Sequence, residues 1–354
     1  YDEAQLVLEQ AVAVRESQLR EDPLGLADTL RGLGVLHIKR ADFRRAEPLL
    51  RRALAIREDA LGPHDVTVSD VLNDLGSAVA EAGRLTEAEA LYRRALTIRR
   101  RSLGHSAPEV AEPLFSLADI YERRGRFAEA ELAIEEQIRI YEQVPNPDKT
   151  VTGSLGNAHH YLGAVLAEQG KLEEAEASLV RALDISERTY GAHHLHTALS
   201  RGELGFLYVK LGRLDAAASL LHPSLKARAR VLGREHPIVA EALAARGYLY
   251  LAGGRITEAE GDLRRALTLL SDALGENDPD VVAPIDGLVR LLARTGRLVE
   301  ARSLARRALS IREKTYGLDH PNVAARRHAL QELHGTRPAR RAGRTARHAR
   351  GAAS

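Results

Sequence analysis

The sequence predicts an all-α, right-handed superhelical solenoid of antiparallel helix pairs, and three observations carry that expectation. First, GRLTEAEALYRRALTIRRRSLG at residues 83–104 recurs as GRITEAEGDLRRALTLLSDALG at 254–275 and as GRLVEARSLARRALSIREKTYG at 296–317. Second, the small residue of the Glu-Ala step falls at Ala46, Ala88, Ala130, Ala175, Ala217, Ala259 and Ala301, spaced by 42, 42, 45, 42, 42 and 42 residues. A period of this length is the signature of stacked repeats, each a supersecondary unit that cannot bury its apolar face alone. Third, residues are 44% hydrophobic but only 4% aromatic, with no Cys, Met or Trp. The apolar content is therefore mostly Ala, Leu and Val, which suits closely packed helices better than sheets.

Each unit reads as two helices. In the second unit, helix A runs from about Val66 to Ala82, with Val68, Val71, Leu72, Leu75 and Val79 at helical spacing. Gly83 ends it at the left-handed position after the helix, and Gly125, Gly170, Gly212, Gly254 and Gly296 are its counterparts. In the first unit Ala41 stands there instead. Helix B carries Ala88, Leu91, Tyr92, Ala95, Leu96 and Ile98 on one face and stops at a second glycine, Gly104, equivalent to Gly62, Gly191, Gly233, Gly275 and Gly317.

The next helix A is announced by a polar residue before proline, as in His236-Pro237, Asp278-Pro279 and His320-Pro321. Proline is tolerated at the first helical position, where its missing N–H has no partner to lose, and Asp278 suits an N-cap. Small residues on helix B (Ala53, Ala95, Ala182, Ala266, Ala308) and Leu-Gly pairs on helix A (33–34, 75–76, 162–163, 204–205) let the two helices approach closely. Gln137 and Ser224 break the alanine pattern, and Arg246 replaces the leucine before Gly247.

At 354 residues the chain exceeds a single compact core. Residues 1–20 read as a partial repeat with helix B only, 21–144 as units one to three, 145–317 as units four to seven, and 318–334 as a capping helix. The full units start near 21, 63, 105, 147, 192, 234 and 276. The three extra residues fall within 142–156, where Pro145 and Pro147 predict an early end to helix B and a slackened, irregular join. The chain opens inside an amphipathic pattern (Leu6, Leu8, Ala11, Val14, Leu19), which reads as a piece of a longer protein. Net charge is +2; removing the six arginines that begin at Arg337 leaves −4, so the body is mildly acidic. The Arg-rich stretch 335–354 lacks core formers and is expected to be disordered.

The Leu-Gly pair, the aromatic three residues on and the two alanines of helix B together resemble the tetratricopeptide repeat. The 42-residue length, the LG-x-x-HP connection and the E-A-E-x-L-x-x-R-A-L-x-I-R-E helix are similar to its kinesin light chain variety. That variety also occurs in bacterial proteins fused to NTPase or protease-like effector domains, and the resemblance covers about residues 1–334. It implies a superhelix whose concave wall, lined by helix A, binds extended peptides or partner segments. The inward positions lie six, three and two residues before the Leu-Gly glycine and one, four and five after it.

Carried over position by position, the resemblance implies partner contacts at Arg31 and Lys39, then Asn73 and Asp74, then Phe115 and Arg123. It adds Asn157, His160 and Tyr161, and later Tyr248 and Arg290. Asp70, Ser77, Glu81, Asp119, Glu168, Lys210, Asp286 and Arg294 fall on the same wall. Asn73 matches the asparagine of the family's N-N-L-G motif, while Asp74 replaces the second one. Units two to four carry the richest set, which places the main contact on residues 70–168, across the irregular join. The competing reading packs Tyr161 and Tyr248 between helices and lets Asp and Arg satisfy each other across units.

Catalytic and cofactor signatures are missing: there is no G-x-x-x-x-G-K-[ST], no H-E-x-x-H and no G-x-S-x-G. His193, His194 and His196, with His159 and His160, mimic metal-ligand spacing, but His194 shares the inter-repeat position of His236 and His320. Glu276, Asp278 and Asp280 lack the rest of a calcium loop. Glu87, Glu89, Arg93 and Arg94 read as a solvated helix B face. No segment approaches the ~20 apolar residues of a membrane span. The absence of Cys excludes disulfides and suits a reducing cytoplasm, the expected location.

The expected role is therefore that of a protein-interaction scaffold or sensing module, not an enzyme, with no cofactor and no metal, binding a protein or peptide segment in the concave groove. A second reading makes it the regulatory arm of a larger effector, NTPase or protease-like enzyme whose catalytic domain lies outside this chain. A third is nucleic-acid contact through the Arg-rich tail, which has no aromatic residue interleaved for base stacking.

Overall fold

The computed structural model describes residues 2–17 and 21–335, of which 84% are helical and none lies in a strand. Helix α1 (Asp2–Ser17) precedes seven antiparallel pairs. These are α2 (Pro23–Lys39) with α3 (Phe43–Leu61), α4 (Val66–Glu81) with α5 (Leu85–Leu103), and α6 (Ala111–Arg123) with α7 (Phe127–Glu142). They continue as α8 (Lys149–Glu168) with α9 (Leu172–Tyr190), α10 (Leu195–Lys210) with α11 (Leu214–Leu232), α12 (Pro237–Ala252) with α13 (Ile256–Leu274), and α14 (Val282–Arg294) with α15 (Leu298–Tyr316). Helix α16 (Pro321–Gly335) closes the described chain. Of the stretch 335–354 expected to be disordered, Gly335 ends α16, and residues 336–354 lie outside the described residues.

The solenoid divides into two compact units, Tyr1–Gly233 and Arg234–Ser354. The slackened join expected at 142–156 does not mark that division: α7 packs on α8 inside the first unit. The prolines act on helix length instead. Helix α7 has 16 residues where the other six B helices have 19.

Within a pair, close approach rests on fitting small against large. All seven alanines of the Glu-Ala step are fully buried. At the Leu-Gly glycine a side chain from helix B fills the space that a Cβ would need. A Cβ on Gly34 would lie 2.7 Å from Leu50 Cγ, one on Gly76 2.6 Å from Tyr92 Cε1, and one on Gly163 2.6 Å from Leu179 Cγ. At this register the third repeat carries Ala118 with Ile134, both fully buried, and the seventh carries the larger Val289 with the smaller Ala305. The departures Gln137 and Ser224 are likewise accommodated, each donating to the same helix A carbonyl of its own repeat, Ala111 O at 3.2 Å and Ala198 O at 2.6 Å.

Capping follows the sequence signals. Gly83 has φ +81°, its N–H donates to Ala80 O at 2.9 Å, and the Arg84 N–H donates to Val79 O at 3.1 Å. This pairing satisfies the orphan carbonyls of the last turn. Ala41 makes the same two bonds, to Ile38 O and (through Asp42) to His37 O, but with a Cβ at φ +55°. The inter-repeat histidines are N-caps: Nδ1 of His194, His236 and His320 accepts the N–H two residues on, at 3.2–3.3 Å. Asp278 does the same for Asp280 at 2.9 Å.

Successive repeats are tied by a recurring ion pair. The Glu after the buried alanine of helix B reaches the basic residue after the next turn glycine: Glu47 to Arg84, Glu89 to Arg126, Glu131 to Lys171, Glu176 to Arg213 and Glu260 to Arg297. This corrects the expectation of a wholly solvated helix B face. Glu89 is only 4% exposed and lies among Arg93, Arg124 and Arg126, because α6 and its turn cover that part of α5. A left-handed residue with a Cβ costs about 1 kcal/mol relative to glycine. Ala41→Gly should therefore raise unfolding stability by about 1 kcal/mol in urea melts, whereas Gly83→Ala should lower it by a similar amount.

Candidate interaction face on the A helices

The positions expected to line a groove lie on one side of α2, α4, α6, α8 and α10 in the first unit. Many of them are already bonded to the next repeat. Arg31 donates to Asp74 at 2.6 Å and approaches Asp70 at 3.8 Å. Arg123 donates to Glu81 at 2.9 Å and to Ala80 O at 3.1 Å, with Asp119 at 3.7 Å. Lys210 lies 3.9 Å from Glu168. In the second unit Arg294 repeats the Arg123 bond, reaching Leu251 O at 3.1 Å. The alternative of Asp and Arg satisfying each other across units thus describes Arg31, Asp74 and Arg123.

Asn73 departs from expectation. It is 6% exposed, with its Oδ1 accepting a long 3.4 Å bond from Ser116 Oγ, so its amide is enclosed between α4 and α6 and is not presented outward. Lys39 and Asn157 are exposed. Tyr248 and Arg290 belong to the second unit and make a contact of their own: the phenol donates to Ala283 O at 2.8 Å and the guanidinium lies over the ring at 5.7 Å.

Between α6 and α8 the geometry changes. Neighbouring A helices touch along α2–α4, α4–α6 and α8–α10, whereas α6 and α8 stand further apart. The gap is bridged by Phe115 and Tyr161, whose ring centroids are 5.3 Å apart at 51°. Phe115 remains 46% exposed, and His160 is half-buried beside Tyr161. The Tyr161 hydroxyl is buried and makes no hydrogen bond of good geometry, although Glu122 sits close by. Burial and the adjacent Glu122 push this phenol well above its ordinary range.

The carboxylates around this gap carry a common signature. Burial, with Glu81 nearby, raises the Asp119 pKa despite Arg123. Burial, with Asp119 and Glu168 nearby, raises that of Glu122. Burial also raises Asp74 in spite of Arg31. Desolvation by burial is the leading cause at each of the three, with neighbouring carboxylates adding to it.

No helix among the described residues is long and apolar enough to cross a membrane, and no group of three or more His, Asp or Glu among them could hold a metal ion. Sequence reasoning also missed a set of arginines at one register of helix B, Arg57, Arg99 and Arg228 buried and Arg312 half-buried. Arg57 bonds Asp28 and Thr67 O, Arg99 bonds Ser69, Asp70, Glu112 and Glu109 O, Arg228 bonds Leu199 O, and Arg312 bonds Asp286. The I-R-E motif was visible, but an arginine in such a motif reads as solvated until its partners are located.

Tetratricopeptide-repeat family models match residues 1–59, 67–143, 154–221, 200–272 and 285–322. The chain belongs to the tetratricopeptide repeat family. No curated protein matches the sequence. Among solved structures it is similar to the kinesin light chain-like BtubC (BKLC) from P. vanneervenii, at 23% identity over 67% of this chain and 94% of that one, with a TM-score of 0.50. It is similar to the quorum sensor NprR from B. thuringiensis in its apo form, at 16% identity, 86% and 84% coverage, and a TM-score of 0.65. A Rap protein complexed with Competence and Sporulation Factor matches at 16% identity, 91% and 88% coverage, and a TM-score of 0.58. At these identities the likeness is one of fold.

A carboxyl whose folded pKa is raised favours the protonated native state, so its contribution to stability falls as pH rises through the ordinary carboxyl range. The double variant Asp119→Asn/Glu122→Gln should therefore melt higher than the parent at pH 7, and the gap should narrow as the pH is lowered toward 4. Calorimetric scans of both proteins across that range check the sign.

Proposed function

We propose that this tetratricopeptide array is a non-catalytic interaction or sensing module that binds an extended, basic peptide or partner segment on the A helices of repeats two to four. The observation that carries the reading is the gap between α6 and α8. It presents an exposed aromatic, Phe115, beside the buried Tyr161 hydroxyl, with Glu122 close to that hydroxyl and Asp119 near Arg123, so that acidic groups line the gap. Solenoids use such extended faces for binding, and aromatic anchors concentrate the energy. A guanidinium or ammonium entering the gap would favour the ionised forms of Asp119 and Glu122, and a backbone amide could pair with Asn157. Arg31, Asp74 and Arg123 act chiefly in holding the face together, while Phe115, Asn157, His160 and Tyr161 are its contact residues. The fold likeness to a quorum sensor, and to a Rap protein complexed with Competence and Sporulation Factor, supports a sensing role.

The test is a panel of extended peptides, Arg/Lys-rich, neutral and Asp/Glu-rich, titrated onto the intact chain by fluorescence anisotropy. The basic peptides should bind best and weaken with salt. Phe115→Ala and Glu122→Gln should each lower their affinity about tenfold, while Arg94→Ala, on helix B, should leave it unchanged. Equal binding of acidic peptides, or an effect of Arg94→Ala alone, contradicts this placement.

A further inference from the structure

His159 occupies a place that its counterparts give to the core. The same register holds Leu30, Leu72, Leu114, Leu243 and Ile285, all buried, and Arg201 in the fifth repeat. A histidine there brings two ring nitrogens into the interior. Both are buried, and neither has a hydrogen-bond partner. On the facing helix α9, Ser178 stands where Leu49, Leu91 and Leu220 pack on the core in other repeats. One repeat therefore loses two leucines from adjoining positions.

The consequence is an open cleft of about 390 Å³ between α7, α8 and α9. Ile138, Leu162 and Ala177 give it apolar walls, and His159 and Ser178 give it polar points. Arg139, Arg181 and Glu135 complete its lining. Arg139 makes no side-chain ion pair or hydrogen bond among the described residues, and the only pair of Arg181 there is with Asp184 at 3.4 Å. The cleft shares no residue with the interaction face of the A helices. Orphaned buried polar atoms of this kind call for an explanation.

We propose that the cleft binds a small carboxylate carrying a short branched aliphatic chain. The guanidinium fork matches a carboxylate in two parallel bonds, and two such groups lie on this lining. The neutral imidazole, one nitrogen donating and one accepting, supplies a further bond inside. The alkyl chain fills the volume that leucine occupies in the other repeats. Glu135 disfavours a dianion such as phosphate. The same chemistry is offered by a free branched-chain acid and by the C-terminus of a peptide ending in Leu.

The test uses the full chain with 4-methylpentanoate, its amide 4-methylpentanamide, and the peptide acetyl-Gly-Gly-Leu with a free carboxylate. Binding is followed by calorimetry and by the imidazole NMR signal that is lost in His159→Leu. The acid should saturate and move that signal, and the amide should bind at least about tenfold more weakly. Arg139→Gln and Arg181→Gln should each weaken the acid about tenfold. His159→Leu should abolish binding while raising the melting temperature, which separates loss of the site from loss of the fold. Tighter binding of the peptide than of the acid assigns the cleft to a peptide C-terminus; equal or weaker binding assigns it to a free acid. No saturation by either compound up to about 50 mM, an amide as good as the acid, or full affinity in His159→Leu overturns the proposal.

Discussion

The fit of a missing side chain on helix A to a large one on helix B is the constraint on which the rest of this structure depends. Leu50, Tyr92, Leu179, Leu221 and Leu263 each occupy the space that a Cβ at Gly34, Gly76, Gly163, Gly205 or Gly247 would need. With the buried alanines of the Glu-Ala step, these contacts bring the two helices of a repeat close together and fix their relative rotation. That rotation decides which helix A positions meet the core and which are left for the proposed interaction face. Dense packing leaves little tolerance at such points, since even one methylene is felt.

The contacts between repeats are of a different kind. Exposed pairs such as Arg264 with Glu300 contribute well under about 1 kcal/mol each and set register more than stability. The enclosed clusters around Glu89 and Arg99 matter more, because removing one member leaves buried charge without a partner, at a cost of about 3–5 kcal/mol. On the A helices the same use of charge consumes Arg31, Asp74, Glu81 and Arg123. On the proposed reading, the contact residues cluster where α6 and α8 separate, around Phe115 and Tyr161. The three added residues and the shortened α7 precede this place, so the irregularity lies beside both the gap and the cleft at His159.

Much of this was legible in the sequence. The 42-residue register gave the helix pairs, the turn glycines and the proline-marked helix starts, because each is a local requirement of the backbone. The candidate face was legible as a set of positions but not as a set of roles. Arg31 and Asp74, or Glu81 and Arg123, lie 42–43 residues apart, and only the helix rotation shows that they meet. Asn73 illustrates the limit, since it lies on α4 at the register expected of it but its amide is enclosed. Glu89 was misread because Arg93, four residues on, made it look like half of a solvated pair. The division after Gly233 carries no mark in composition, because the Gly233 connection resembles those at Gly62 and Gly104.

The packing rule can be tested by letting one repeat imitate another. At the register where the first repeat packs Gly34 on Leu50, the seventh carries Val289 and Ala305. The direct measurement is a double-mutant cycle in urea with Gly34→Val, Leu50→Ala and the combined variant. The account predicts that each single change destabilises by about 2–4 kcal/mol and that the combination recovers at least about 1–2 kcal/mol of their sum. Strictly additive losses would contradict it, for they would mean that glycine and leucine at this contact act independently and that their fit does not set the repeat.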